Sequence, residues 1–353
     1  MNFTWFSSAY NTDNALYRVA VFVQMTGVLI IAAGIPHDLH FDAMAVGYVV
    51  MRLALVAQWL RAAASSVEGR AAALRYAVGI TVVQIGWLAL LALPDNVGLG
   101  PFFFLAAAEL VVPLWAEAAG RTPWHPRHIA ERYGLFTIIV LGESILAATV
   151  GVQVALSGET TTGHLVAVVV GGLAIVFSMW WLYFDMPAVR IVEKIRDAFS
   201  ERLSGAFKWG YGHYVVFASA VAVGAGLAVA VDQVTSHSQL TDQQAGLAVT
   251  VPAAVYLLAV WALHARYAHV TRLRTFAVPV AAALVVASSV TPQPVLATGV
   301  LLAALVVVNV TTSRSQAPQS PRRNNGVAPG TYRRRACRQI LPRRTLFSIS
   351  WRV

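Results

Sequence analysis

Long apolar runs recur along this chain with only short polar connections between them. We count about ten such runs, and each is close to the roughly 20 residues that a helix needs to cross a hydrocarbon core about 30 Å thick. Hydrophobic residues make up 58% of the chain and charged residues only 12%, whereas roughly a quarter of a soluble composition is charged. The sequence therefore predicts an all-α fold, a polytopic transmembrane helical bundle.

The apolar runs also predict where the helices lie. The expected spans are near 16–34, 41–60, 72–93, 99–118, 133–153, 164–184, 210–230, 245–264, 274–290 and 293–311. Residues 1–10, MNFTWFSSAY, are typical of the last turns of a further, partial span. We therefore expect a transmembrane domain over 1–312, followed by a tail over 313–353.

Basic residues occur in every second connection. The basic connections are 61–75, 121–132, 190–208 and 266–274, and the others, at 35–40, 94–98, 154–163, 231–244 and 291–292, contain no lysine or arginine. Connections rich in lysine and arginine stay on the cytoplasmic side of a membrane. The alternation predicts a multi-pass protein of the cell membrane with the basic loops and the tail in the cytoplasm.

The formal net charge of +10 comes from the tail. Ten of the 26 basic residues follow Thr312, where there is no acidic residue, so the other 16 balance the 16 acidic residues. The transmembrane domain therefore lacks the basic surface that nucleic acid would need, and no nucleic-acid partner is expected. The composition of the tail indicates disorder. The single cysteine, Cys337, cannot form a disulfide within the chain.

Three ionisable residues, Arg52, Glu109 and Glu143, fall near the middle of predicted spans and at similar depth. Each costs roughly 2.5–3.5 kcal/mol if it faces lipid, so we expect the three side chains to meet inside the bundle. One interpretation is a polar pathway or binding pocket for a proton, a cation or a small polar solute. The other is a salt bridge that only specifies how the helices pair.

The segment HIAERYGLFTIIVLGESIL, residues 128–146, carries two charges on one stripe. Arg132 and Glu143 are eleven residues apart and differ by only about 20° around a helix axis. We expect this stripe to face the bundle interior or a watery cavity. Gly134 and Gly142 would allow another backbone to approach closely.

Histidines raise the possibility of a metal site in two places. WHPRH at 124–128, followed by Glu131, and PHDLH at 36–40 both contain ligand types, but prolines disturb the helix-face geometry. We therefore expect no metal and no cofactor. His213 and His264, near span ends, are expected to be satisfied by hydrogen bonds. No standard catalytic signature is present in the sequence.

The motif ERYGLFTIIVLGES resembles the bacterial low temperature requirement A family. The matching features are Glu131 and Arg132, Gly134 to Phe136, Leu141 to Glu143, His128, WWLYFD ending at Asp185, and YNTDNALYRVAVFVQM at 10–25. The resemblance covers roughly residues 3–310 and implies a multi-spanning membrane protein linked by name to growth at low temperature. From this resemblance, we expect the chain to start after the helix with a Glu-Leu-Phe-Phe-Asp motif with which the family usually opens.

The leading hypothesis is passage of a small polar solute, an ion or a proton through a polar intramembrane site. The residues expected to line it are Arg52, Glu109, Arg132 and Glu143, and those expected at a cytoplasmic entrance are His128, Glu131 and Asp185. One alternative is a membrane-embedded enzyme on a lipid-like substrate, with Glu143 and His128 as acid and base. Another is a structural or regulatory protein for low-temperature growth. Membrane lipids and an unknown polar solute are the expected partners.

Overall fold

The computed structural model describes residues 2–12, 14–35, 41–94, 98–156, 163–185, 204–235, 240–264 and 272–314. Within these ranges every regular element is helical. The helices are α1 (Asn2–Ala9), α2 (Ala15–Ala33), α3 (Phe41–Ser65), α4 (Arg70–Leu91), α5 (Gly100–Glu117), α6 (Pro126–Leu156), α7 (Gly163–Phe184), α8 (Ser204–Val234), α9 (Asp242–His264), α10 (Arg272–Ala287) and α11 (Pro294–Arg314). The predicted all-α class is confirmed.

Eight of these described helices are long and apolar enough to cross a membrane: α2 to α5, α7 to α9, and α11. The other two predicted spans are also helical, because α6 runs for 31 residues and the 16 residues of α10 continue into a 3₁₀ turn, Ser288–Val290. Each predicted run thus coincides with a helix. The protein is a multi-pass membrane protein.

Local sequence signals fix several helix ends. The Asn14 side chain accepts a hydrogen bond of 2.9 Å from the backbone N–H of Tyr17, which satisfies one of the free donors at the start of α2. At the hairpin before α11, Pro294 occupies the first helical position, where its missing N–H costs nothing. The predicted partial span is the short helix α1, whose Phe6 is buried.

The buried side chains form two clusters. The first joins α1, α3, α4 and α5, and at its centre Trp59 stacks on Tyr76 with ring centroids 4.0 Å apart. The second and larger cluster joins α6 to α11, with Trp209, Tyr183 and Tyr256 among its largest fully buried side chains.

Hydrogen bonds between described residues join the regions of these clusters. The Trp5 indole of α1 donates to the Tyr133 hydroxyl of α6 at 3.0 Å. The Tyr211 hydroxyl of α8 donates to the Leu110 carbonyl of α5 at 2.7 Å. The residues from Met1 to Val310 form one compact unit.

Glycines allow the closest helix contacts. A Cβ added at Gly27 of α2 would lie 2.6 Å from the Gly47 carbonyl oxygen of α3, and the reverse substitution would meet the Gly27 oxygen at the same distance. Gly171 of α7 and Gly299 of α11 make a similar contact, at 2.7 Å. Small residues at these positions let backbones touch, which is how membrane helices gain packing energy in lipid.

The charged stripe of α6 is exposed, so it does not face the bundle interior, and the alternative of a watery cavity beside it stays a prediction. The exposed positions of this stripe are Arg132, Phe136, Ile139 and Glu143. The described buried positions of the same helix are Ile129, Ala130, Tyr133, Gly134, Thr137, Val140, Leu141 and Ser144. The buried set repeats at three and four residues and presents rings and small side chains that pack closely. Packing of that face therefore rotates the charges outward.

The expected close approach of another backbone is found at neither of the two glycines of α6. A Cβ at Gly134 would contact the Phe184 ring at 3.3 Å, whereas one at Gly142 would meet nothing within 4 Å. The basic loop after α7, the PHDLH segment and the tail beyond residue 314 lie outside the described residues.

The substitution Gly27→Ala tests the α2–α3 contact. We expect it to lower the free energy of unfolding by about 1–3 kcal/mol, because the new Cβ would collide with backbone atoms that cannot rotate away. The measurement is unfolding of the purified protein in detergent, followed by tryptophan fluorescence.

Gly142→Ala is the matched control, since its Cβ points into open space and alanine favours a helix over glycine by about 1 kcal/mol. Equal stability changes in the two variants would contradict the close contact.

Candidate functional site

A buried ion pair joins α3 to α5. The Nη2 of Arg52 lies 2.6 Å from the Oε2 of Glu109, and the two side chains are 10% and 11% exposed. Burial of opposite charges is tolerated only when each is well paired, because the cost of desolvating an unpaired charge is several kcal/mol. The pair is therefore the main electrostatic link between these two helices.

Tyr48 completes this arrangement. It lies one helical turn before Arg52 on α3, so both side chains leave the same face of the helix. Its hydroxyl donates to the Oε1 of Glu109 at 2.8 Å and accepts a hydrogen bond from the Nη2 of Arg52. Tyr48, Arg52 and Glu109 thus form a closed hydrogen-bonded network, which we call the ion-pair network.

Further buried polar atoms around this network lack partners. Among the described residues, no hydrogen bond reaches the Nε of Arg52 or either side-chain polar atom of Gln58 and Gln84. Gln84 lies one turn from Trp87, whose ring contacts that of Tyr48, and Gln58 lies about 9 Å further along α3. Unpartnered polar groups are costly in an apolar surrounding, so these amides are available to bind water or a polar solute.

A cavity of about 460 Å³ opens between the ends of α2, α3, α4 and α5. Its aromatic lining residues are Phe41, Tyr48, Trp87 and Phe102. Because Tyr48 lines the cavity and also hydrogen-bonds Glu109, its phenol joins the cavity directly to the ion-pair network. The cavity lies at the end opposite the basic connection 61–75.

Glu117, at the end of α5, is a buried carboxylate near the basic connections. Its Oε1 accepts from the Tyr76 hydroxyl at 3.1 Å and from the Thr122 hydroxyl at 2.7 Å, and its Oε2 accepts from the Thr122 backbone N–H at 3.1 Å. Tyr10, which lies between α1 and α2, has a raised pKa. The larger cause is burial, and the second cause is the negative charge of Glu117. Three donors satisfy this carboxylate, so its geometry is that of a structural tie between α5 and the following loop.

A second polar cluster lies inside the larger core. The His213 ring donates from Nδ1 to the Trp209 carbonyl at 2.8 Å, which leaves Nε2 to accept from the Tyr183 hydroxyl at 3.1 Å. The expectation that His213 is satisfied by hydrogen bonds is confirmed. For His264 the same expectation is wrong for one ring nitrogen. The buried Nδ1 of His264 has no hydrogen-bond partner among the described residues.

The chain matches the family model described as "Bacterial low temperature requirement A protein (LtrA)" over residues 1–310. The protein belongs to the LtrA family. It is also similar to an uncharacterised protein of Rhizobium meliloti (strain 1021), at 33% identity over 107 residues, which are 29% of this chain. The chain spans about a quarter of the length of that relative. No solved structure matches the chain.

In this LtrA protein, two of the four residues predicted to line a polar site are brought together. Arg52 and Glu109 are in contact, whereas Arg132 and Glu143 are exposed on α6 and form no hydrogen bond or ion pair with a described residue. The residues predicted at an entrance, His128, Glu131 and Asp185, are all exposed at helix ends.

The acid and base of the alternative enzyme hypothesis are far apart. His128 and Glu143 belong to one continuous helix and are fifteen residues apart, which corresponds to roughly 22 Å. An acid and a base that act on one substrate must both come within about 3 Å of the reacting groups. The structure does not bring this pair together. Among the described residues, no group of three or more His, Cys, Asp or Glu side chains has a geometry that could hold a metal ion.

Sequence reasoning missed several residues of this LtrA site. Tyr48 could have been found from its spacing of four residues before Arg52, which places a phenol beside the guanidinium. Gln58 and Gln84 each carry an amide within an apolar run, which is a weaker signal because such amides pair easily with neighbouring helices. Glu117 lies at the end of a predicted span, where a carboxylate gives no sequence signal of a buried site.

Removing one partner of the ion pair tests its contribution to stability. We expect Glu109→Gln or Arg52→Met alone to lower the free energy of unfolding by about 3–5 kcal/mol, because each leaves a buried charge unpaired. The double variant should recover most of this loss, since it buries no charge. The measurement is denaturant unfolding in detergent, with all four proteins compared under one condition.

The double-variant cycle carries its own control. Additive losses in the double variant would mean that the two charges do not interact, and the assignment of the ion pair would fail.

Proposed function

We propose that this LtrA family protein moves a small polar solute or an ion across the membrane through the polar interior of α3, α4 and α5. The observation that carries the proposal is the buried ion-pair network, which Tyr48 connects to an open cavity. Ionisable residues inside membrane spans are costly, and they commonly mark solute and ion pathways.

The unpartnered amides favour this function over a purely structural ion pair. A salt bridge that only pairs helices needs its own atoms satisfied and gains nothing from further buried polar groups. Gln58 and Gln84 instead keep four polar atoms free of described partners in the same region of the bundle. A solute that passes Arg52 and Glu109 would find hydrogen-bonding groups on either side of them.

The ion-pair network supplies a mechanism for control. Tyr48 holds Glu109 and Arg52 together and also lines the cavity, so a solute that reaches the cavity competes for the same hydrogen bonds. Exchange of the Tyr48 contact for a contact with the solute would open the network toward Gln84. Binding energy would thus be used to break the pair only when a solute with suitable polar groups is present.

The orientation follows from the basic connections. We place the basic loops and the exposed His128, Glu131 and Asp185 on the cytoplasmic side of the inner membrane, because lysine and arginine are retained there. The cavity between α2, α3, α4 and α5 then opens to the outside. We treat Glu143 and Arg132 as a polar surface along α6 that is separate from the proposed path.

Flux measurements in proteoliposomes test the proposed path. The probes are protons with an entrapped pH-sensitive dye, potassium ions, and glycerol or urea with vesicle swelling followed by light scattering. For whichever probe the parent protein passes, we expect Glu109→Gln to change the flux by about tenfold or more. A change of about 1.4 kcal/mol at a limiting step is enough for that effect.

The control for this experiment is Glu68→Gln, which neutralises an exposed carboxylate in the 61–75 connection, away from the network. Unchanged flux in a folded, monodisperse Glu109→Gln variant would end the proposed path. Glu143→Gln is measured in parallel: a loss of flux in that variant alone would move the path to the exposed face of α6.

A further inference from the structure

The cavity between α2, α3, α4 and α5 has walls of unusual chemistry for a solute path. The Trp87 ring lies edge-on to Tyr48, with centroids 6.1 Å apart and planes at 82°, and edge-on to Phe102, at 5.3 Å and 74°. Rings at nearly right angles form adjoining sides of a box instead of a flat stack. Three aromatic rings therefore meet at the cavity at one end of the bundle.

The mouth of this box is acidic. Asp42, exposed in the first turn of α3, is the charged side chain among the described residues that line the cavity. The Asp42 carboxylate therefore favours a cation at the mouth and disfavours an anion.

The positive charge of Arg52 does not reverse this preference. Its guanidinium lies 4.8 Å from the centroid of the Tyr48 ring, but Glu109 neutralises it at 2.6 Å. Apart from Tyr48, Asp42 and the other aromatic rings, the lining is largely aliphatic, with residues such as Ile31, Leu90 and Leu99. Such walls offer no set of oxygen ligands that could replace the hydration shell of a metal ion.

We infer that this cavity binds a small organic ammonium ion, held by the aromatic rings of Tyr48, Trp87 and Phe102 with Asp42 as its counter-charge. Aromatic rings attract a cation through the negative potential of their faces, and they favour an alkylated cation that has little hydration to lose. The cavity is the mouth of the proposed path, so an ammonium ion bound there would be the substrate. That role as substrate rests on the proposed function.

Binding is tested on the full chain in detergent by calorimetric titration with choline and with 3,3-dimethylbutan-1-ol, its uncharged carbon isostere. We expect choline to bind at least about tenfold more tightly than the isostere, because only the cation gains from the rings and the carboxylate. Equal binding of the two probes, or binding of the isostere alone, would overturn the inference and indicate an apolar occupant such as a lipid chain.

Variants locate the site. Trp87→Leu and Asp42→Asn should each weaken choline binding by about threefold to thirtyfold, and Trp87→Phe should retain part of the affinity because it keeps a ring. The matched controls are Trp180→Leu, an exposed tryptophan on α7, and Glu68→Gln, and neither should change the affinity. Choline binding that survives Trp87→Leu and Asp42→Asn in folded protein would place it elsewhere and overturn the assignment.

Uptake of radiolabelled choline into proteoliposomes separates this inference from the proposed function. Binding with no uptake of any probe would support the ammonium site and overturn the transport function. Flux of another solute without choline binding would support the transport function and overturn the ammonium site.

Discussion

The contact between Arg52 and Glu109 sets the rotation of the helices around it. A charge turned toward lipid costs several kcal/mol, and α3 avoids this cost by presenting Arg52 toward Glu109 of α5. Residues spaced by three or four along α3 then face the same way, and Leu55 and Trp59 are accordingly buried. Trp59 stacks on Tyr76 of α4, which carries the orientation imposed by one ion pair into the first core.

Close packing of α2 against α3 follows from the same rotation. With Arg52 turned toward α5, Gly47 of α3 meets Gly27 of α2, and the two backbones come into contact without side chains between them. The cavity forms at the end of this arrangement, where α2, α3, α4 and α5 separate around Tyr48 and Trp87. The ion pair near the middle of the spans and the nearby glycine contacts thus determine how these helices pack. They also determine where the cavity opens.

The parts of the structure that lipid imposes directly were predictable from sequence. The hydrocarbon core fixes the length of an apolar run, so each expected span coincides with a described helix. Depth was predictable in the same way, because Arg52 and Glu109 are placed at one level by counting from their helix ends. Tyr48, Gln58 and Gln84 were not predicted, since a phenol or an amide in an apolar run carries no charge that demands a partner.

The rotation of a helix about its axis also depends on how its other face packs. Helix α6 illustrates why this rotation could not be predicted from the sequence. Arg132 and Glu143 do share a stripe, yet they lie roughly 16 Å apart along the axis and cannot pair with each other. Tyr133 bonds Trp5, and Ser144 fits against Gly224 of α8, where a Cβ would lie only 2.9 Å from the serine oxygen. These short-range contacts of the buried face fix the rotation of the helix, and Glu143 points outward as a consequence.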